Sequence, residues 1–98
     1  MIDRERHEQA IRLLEATHSF PCPFMIKVIG RSEDGFLARI VAAFRAAQEL
    51  DEDPPFRTRQ TPDGRHIAVT FEPQVESAEE VLGIYESIRS IQGIVMIL

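Results

Sequence analysis

The chain has 98 residues, a formal net charge of −5 at pH 7 and a single cysteine, Cys22. This length predicts one domain with one core, and a lone cysteine excludes an internal disulfide framework, which favours a cytoplasmic protein. The acidic balance argues against strong non-specific binding to nucleic acid, because such binding requires many cations. The charged N-terminal residues do not resemble a signal peptide, and no apolar run approaches the ~20 residues of a membrane span.

The N-terminal residues 3–18 are expected to form a helix. Asp3 is a residue type that caps helices, and the apolar residues on one face of the helix are Ala10, Ile11 and Leu14. Because this stripe is short, we expect the helix to dock loosely on the rest. The predicted single domain, 1–98, therefore consists of an N-terminal helical extension, 1–20, and a core, 21–98.

An apolar run at 24–29 is the predicted central strand. Pro21 and Pro23 prevent a helix from running into it, and Gly30 follows its end. Side chains alternate along a strand, which predicts a buried set of Phe24, Ile26 and Val28. The set on the opposite face is Met25, Lys27 and Ile29.

The first core helix is expected after a loop at 30–34. Apolar residues recur at helical spacing from Gly35 to near Leu50. Ser32 or Asp34 is the predicted N-cap. An acidic run followed by two prolines then stops the helix.

A hairpin is predicted next, from runs at 56–61 and 65–72. The residues Pro62, Asp63 and Gly64 between them form a turn, since proline presets φ and glycine accepts a positive φ. In the second run the expected core positions are Ile67, Val69 and Phe71. His66, Ala68 and Thr70 face away.

A second core helix and a final strand complete the chain. Ser77 and Glu80 have the spacing of a capping box. The apolar stripe of this helix is Ala78, Val81, Leu82, Tyr85 and Ile88. Residues 94–98 are uncharged and predict the last strand.

This order of elements, a helix and then β-α-β-β-α-β, predicts an α+β fold. Right-handed crossovers place the first and third core strands together in the middle. The result is a ferredoxin-like two-layer sandwich with an antiparallel sheet in the order 4-1-3-2 and both core helices on one face. The final strand pairs with the central strand, and we expect the N-terminal helix or a second subunit to shield its outer edge or the open face.

The sequence around the central strand resembles the YbeD-like family of small bacterial domains. The matching positions are Phe20, Pro21, Pro23, Phe24, Lys27, Val28 and Gly30, within a similarity that covers 13–98. The resemblance implies an ACT-type regulatory fold and carries over no catalytic residue. Residues 32–40, SEDGFLARI, also look like the loop-to-helix junction of amino-acid-binding ACT domains, although Asp34 stands where a proline is usual.

The residues offer no constellation for catalysis, a metal or a cofactor. His7, His18, His66 and Cys22 share no ligand spacing, and Cys22, between two prolines, has the context of a structural thiol. Carboxylates cluster where they end or cap helices, and no glycine-rich phosphate motif occurs. We therefore expect a protein that is not an enzyme and needs no cofactor.

The function most compatible with this pattern is a non-catalytic regulatory or protein-interaction module of ACT-like type, with a protein partner or a homodimer. An alternative is a nucleic-acid-binding module that uses the open sheet face, because the RNA-recognition motif shares this topology. The stacking positions of that motif fall on His66 and Ala68, so we do not expect nucleic acid as the ligand. The candidate residues on this face are Met25, Lys27, Arg57, Arg59 and His66.

A further alternative is a sensor of an amino-acid-like molecule at the loop between the first core strand and helix. The candidate residues are Arg31, Ser32, Glu33, Asp34 and Gly35. A helix N-terminus attracts a carboxylate, and Gly35 permits close approach to the backbone. Glu33 and Asp34 would repel a carboxylate while attracting an amine.

Overall fold

A computed structural model of the protein describes residues 4–98, which form three helices and six strands. The helices are α1 (Arg4–Thr17), α2 (Phe36–Ala47) and α3 (Ala78–Ile88). The strands are β1 (Cys22–Pro23), β2 (Ile26–Arg31), β3 (Phe56–Gln60), β4 (His66–Phe71), β5 (Gln74–Val75) and β6 (Ile94–Ile97). Asp3, the predicted cap of the first helix, lies outside the described residues.

Four strands form an antiparallel sheet in the order β3-β4-β2-β6, which is the predicted order read from the other edge. The central strand β2 pairs with β4 along its whole length. On its other side it pairs with β6, and beyond this strand Lys27 and Leu98 exchange both backbone hydrogen bonds, at 3.1 and 2.7 Å. The ferredoxin-like α+β fold and the pairing of the last strand with the central strand are confirmed.

The core lies between this sheet and the helices α2 and α3. Alternation along β2 and β4 buries the predicted residues Ile26, Val28, Val69 and Phe71. Phe44 of α2 stacks on Phe71, with ring centroids 3.7 Å apart. Phe24 and Ile67, also predicted for the core, are half-buried at its margin.

Phe36, the first residue of α2, packs directly on Gly30 of β2. A Cβ atom at Gly30 would lie 2.2 Å from Cζ of the buried ring. The backbone at Gly93, just before β6, approaches the same ring, where a Cβ would lie 2.9 Å from Cδ1. Two glycines therefore make room for one aromatic side chain.

The central strand is displaced by two residues from its predicted limits. It begins at Ile26, because Phe24 instead donates its N–H to the carbonyl of Pro73, at 2.9 Å, beside a two-stranded sheet of β1 and β5. That small sheet was not predicted, since two residues are too few to show alternation. The strand ends at Arg31, which pairs with His66 and so belongs to the sheet and not to the predicted loop.

The ends of α2 also differ from the prediction. Its N-cap is Gly35, with φ 86° and no side-chain cap, so neither Ser32 nor Asp34 caps the helix. At the other end Glu49 adopts a left-handed φ of 54°. The N–H of Leu50 then donates to the Arg45 carbonyl at 2.9 Å, which is a Schellman ending and stops the helix before the acidic run.

The hairpin turn between β3 and β4 has the expected geometry, with Gly64 at φ 72°. Asp63 accepts hydrogen bonds from the Thr61 hydroxyl at 2.6 Å and from the Arg65 N–H at 3.0 Å. These hydrogen bonds, the one from Thr61 first, lower the pKa of the Asp63 carboxyl from its ordinary value of 3.8. The ionised carboxylate thus stabilises the turn.

The helix α3 begins with the predicted cap, since the Ser77 hydroxyl accepts from the Glu80 N–H at 3.1 Å. The Glu80 carboxylate accepts from the N–H of Glu76, at 3.2 Å, rather than from the cap residue itself. Ile84 is fully buried although it is absent from the predicted stripe. Tyr85 is half-buried, and this burial raises the pKa of its hydroxyl.

The N-terminal helix α1 contacts α3, and Leu14 packs against the core. Because side chains of the last strand stay exposed, the expectation that α1 shields the open face or the outer strand is wrong. Val95, Met96 and Leu98 of the last strand and its end remain 54%, 49% and 58% exposed. Whether a second subunit covers them stays a prediction.

Candidate interaction surface

No helix within residues 4–98 covers the side of the sheet opposite α2 and α3, where Met25, Met96 and Leu98 stay about half exposed, and we call this side the open face. Strand register orders its side chains in rows that cross the sheet from β6 to β3. The first row is Leu98, Lys27, Thr70 and Arg57. The second row is Met96, Ile29, Ala68 and Arg59. The next pair along β2 and β4 is Arg31 and His66.

The structure brings four of the five open-face candidates together. Met25, Lys27, Arg57 and Arg59 line one depression of about 370 Å³. Its floor includes Ala68 and Thr70 of β4, whose small side chains leave the space between the larger ones. His66, the fifth candidate, lies one pair beyond Ala68 on the same strand face.

The open face also has an apolar half, which the sequence-based candidate set contained only at Met25. Met25, Met96 and Leu98 each expose about half of their surface, at 51%, 49% and 58%. Half-buried Ile29 lies between Met96 and Ala68. The signal that could have found this half was the final strand itself, which is apolar at every position.

The cations of the open face have no ion-pair partner among the described residues. The four ion pairs within residues 4–98 join Arg39 to Glu33, Arg45 to Asp53, Arg65 to Asp63 and Arg89 to Glu86. None of them includes Lys27, Arg31, Arg57 or Arg59. The open face is therefore locally positive although the chain has a net charge of −5.

The predicted ligand loop is divided between two surfaces. Arg31 lies on the open face, whereas Asp34 and Gly35 line a depression of about 560 Å³ beside α2 and Phe56. Ser32 donates its N–H to the Arg65 carbonyl and accepts at its hydroxyl from Gln60, at 2.9 and 2.6 Å.

Glu33, the remaining residue of that loop, already forms an ion pair and a main-chain hydrogen bond with other residues of the chain. Its carboxylate pairs with Arg39 at 3.0 Å, and Arg39 also donates to the Gln92 carbonyl at 3.1 Å. Its main-chain carbonyl accepts from the N–H of Phe36 at 3.2 Å. The start of α2 is thus held by side chains and backbone of the chain, with two carboxylates beside it.

The histidines and the cysteine are dispersed. His18 contacts the Phe24 ring, with centroids 4.8 Å apart, His66 lies on the open face, and Cys22 is a half-buried free thiol. Within residues 4–98 no three His, Cys, Asp or Glu side chains form a group that could hold a metal ion. No helix in that part of the chain is long and apolar enough to cross a membrane.

A sheet with two helices on one side and this strand order is a ferredoxin-like fold, and solved structures, an ACT domain among them, show the same fold. The solution structure of protein HP0495 from H. pylori superposes with a TM-score of 0.63 at 17% identity, covering 83% of this chain and 85% of that one. The ACT domain from GTP pyrophosphokinase of Chlorobium tepidum superposes with a TM-score of 0.56 at 14% identity, covering 79% of this chain and 97% of that domain.

The chain belongs to the DUF493 family, described as proteins of unknown function, which matches residues 15–98. A UPF0250 protein of Nitrosomonas europaea is 23% identical over 84 residues, which are 86% of this chain and 97% of that protein. A UPF0250 protein of Shewanella amazonensis is 28% identical over 79 residues, 81% of this chain and 88% of that protein. The YbeD-like resemblance is confirmed by these relatives.

Proposed function

We propose that this protein is a non-catalytic, cytoplasmic regulatory module that acts by binding another protein through its open face. The observation that carries the proposal is the coincidence, on one uncovered surface, of exposed apolar side chains and cations without ion-pair partners. Isolated apolar residues are normal on a surface, but a contiguous set of them beside charged groups is typical of an interaction site. The ACT-like fold supports a regulatory role by analogy alone.

The alternative of RNA binding has less support. Single-stranded nucleic acid is bound largely by stacking of bases on aromatic rings. The positions across the middle of the open face are Ile29, Ala68 and Thr70, and Phe56 of β3 is opposite Phe71, on the core side. Cations alone would give weak, salt-sensitive binding.

The alternative of an amino-acid sensor at the start of α2 also has less support. Arg39, the cation beside the start of α2, is already paired with Glu33, and the carboxylates of Glu33 and Asp34 would repel a ligand carboxylate at this helix N-terminus. A thermal-shift screen of amino acids and small carboxylates tests this alternative. A ligand at 100 times its Kd would add about 2.7 kcal/mol, which raises the Tm by more than about 10 °C for a domain of this size. Our proposal predicts no such shift.

Site-specific photo-crosslinking in a bacterial host tests the proposal directly. A photoreactive residue at Met96 or Arg59, both exposed on the open face, should give protein adducts of defined mass. The matched control is the same residue at Ser87, which is exposed on α3. Adducts that are equal at the control position, or absent from both positions on the open face, would refute the proposal.

A further inference from the structure

The partner chemistry follows from how charge is distributed over the chain. Four of its 11 lysines and arginines lie on the open face, and 16 acidic residues give the chain its negative balance. Glu72, at one end of this surface, lines a depression with Arg57 and Thr70, but the four ion pairs within residues 4–98 include neither Glu72 nor Arg57. An approaching group on this side of the sheet therefore meets a local excess of positive charge.

The cations border the depression above Ala68 and Thr70 from two sides. Lys27 and Arg57 occupy the same row on either side of Thr70, so their Cα atoms are two strand spacings, about 10 Å, apart. Arg59 lies on the side of Arg57, two residues along β3. A carboxylate placed over Thr70 lies between a lysine and an arginine, each of which can donate charge-assisted hydrogen bonds to it.

The apolar half of the open face continues the same rows towards β6. Met96 and Leu98 extend the rows of Arg59 and Lys27, and both are about half exposed. Methionine side chains adapt to different apolar partners because they are flexible and polarizable. A ligand that contacts all the side chains of one row must therefore be acidic on one side, towards β3, and apolar on the other, towards β6.

We propose that the open face binds an acidic, amphipathic segment of another protein, an inference that rests on the function proposed above. Its carboxylates lie in the depression between Lys27, Arg57 and Arg59, and its apolar side chains lie on Ile29 and Met96. The other occupants fit less well. A second copy stacked face to face would set its cations against the cations or the apolar half of the other copy and not against carboxylates, and RNA would find no stacking platform.

The experiment is a selection from a random peptide library with the full chain as bait, followed by fluorescence anisotropy on individual enriched peptides. We expect enrichment in Asp and Glu together with Leu, Ile or Phe. The double variant R57E/R59E should weaken binding at least about tenfold, because it replaces two attractive charges by repulsive ones. Affinity should also fall between about 0.1 M and 1 M salt, where the screening length shrinks from about 10 Å to about 3 Å.

Two further variants assign the binding site. The matched control R12E/R89E makes the same change in net charge on the helical side of the protein, at exposed residues of α1 and the end of α3. Because distant exposed charges are screened, this control should leave the peptide affinity within about twofold of the unmodified protein. Met96→Asp places a repulsive charge on the apolar half and should weaken the same peptides. Circular dichroism melts of all three variants establish that they are folded.

The outcomes separate this inference from the proposed function. One outcome is that the peptides bind the open face, as shown by loss of binding to Met96→Asp, and yet are neutral or basic, or bind R57E/R59E unchanged. That result would overturn the inference of an acidic partner and leave the proposal of a protein-binding face intact. If no enriched peptide is sensitive to either variant, both proposals fail. Salt-sensitive binding of a single-stranded RNA pool that R57E/R59E abolishes would also overturn both. A dimer in sedimentation that Met96→Asp dissociates would replace the acidic segment by a second copy.

Discussion

Replacing Gly30 by alanine should destabilise the protein through one contact, that with Phe36. The ring of Phe36 is fully buried, and the added methyl group would lie 2.2 Å from its Cζ atom and 2.6 Å from both Cε atoms. The backbone at Gly93 limits movement of the ring at Cδ1. Without this ring, alanine in a strand would be more stable than glycine by about 0.5–1 kcal/mol. A loss of stability in Gly30→Ala would therefore be evidence of the contact with Phe36.

The magnitude follows from the balance of these two terms. Overpacking a core costs about 1–3 kcal/mol, and the short distance together with the confined ring argues for the upper end. Subtracting the gain in backbone preference leaves a net loss of about 2 kcal/mol. For a domain of this size that corresponds to a fall in Tm of about 8–16 °C.

A double-mutant cycle measured by urea denaturation provides the test. Phe36→Leu alone should cost about 1–2 kcal/mol through lost buried area, but in that background Gly30→Ala should become neutral or stabilising. Gly83→Ala is the control, because nothing lies within 4 Å of its added Cβ, and it should stabilise α3 by about 1 kcal/mol in both backgrounds. An equal cost of Gly30→Ala with and without Phe36 would refute the reasoning.

Further predictions concern helix ends, the last strand and the hairpin turn. Ser77→Ala removes the hydroxyl that caps α3 and should lower the free energy of unfolding by about 1 kcal/mol in urea titration. Glu49→Gly relieves the strain of a left-handed φ of 54° and should raise the free energy of unfolding by about 0.5 kcal/mol. The gain is expected because the relief of strain exceeds the added entropy of the unfolded chain. Deletion of 94–98 removes a neighbour of the central strand and should abolish the cooperative thermal transition; a native-like melt would contradict the sheet order. A carboxyl NMR titration should give Asp63 a pKa below 3.8, and Thr61→Val should raise that pKa towards 3.8. The ionised Asp63 therefore stabilises the fold above pH 3.8, and this contribution is lost as the pH falls through the lower pKa of the folded state.

The strand order and the location of the core could be predicted from the chain alone. Alternation in β2 and β4, and helical spacing in α2 and α3, are local patterns that repeat over several residues. The handedness of crossovers then leaves few ways to connect these elements. For the same reason, the positions of Lys27 and Met25 on the strand face opposite Ile26 could be read from period-two alternation.

Contacts between distant residues were decided by the tertiary structure. The limits of β2 and α2 depend on hydrogen bonds such as that from Phe24 to Pro73 and from Leu50 to Arg45, which no periodicity encodes. Sequence patterns also did not indicate that α1 would lie on α3 and leave the open face uncovered.

The candidate interaction surface shows the same division between pattern and packing. Alternation in the sequence assigns Lys27 to the open side of β2, whereas the last strand, apolar at every position, gives no such signal for Met96. The order of Met96, Lys27 and Arg57 across the sheet depends on how four strands align. That alignment is set by backbone pairing and by the core on the opposite face, since a slip of one residue would expose the buried side chains. The sequence by itself therefore determined the basic part of the open face, and the packed sheet added its apolar half and decided which charged and apolar side chains became neighbours.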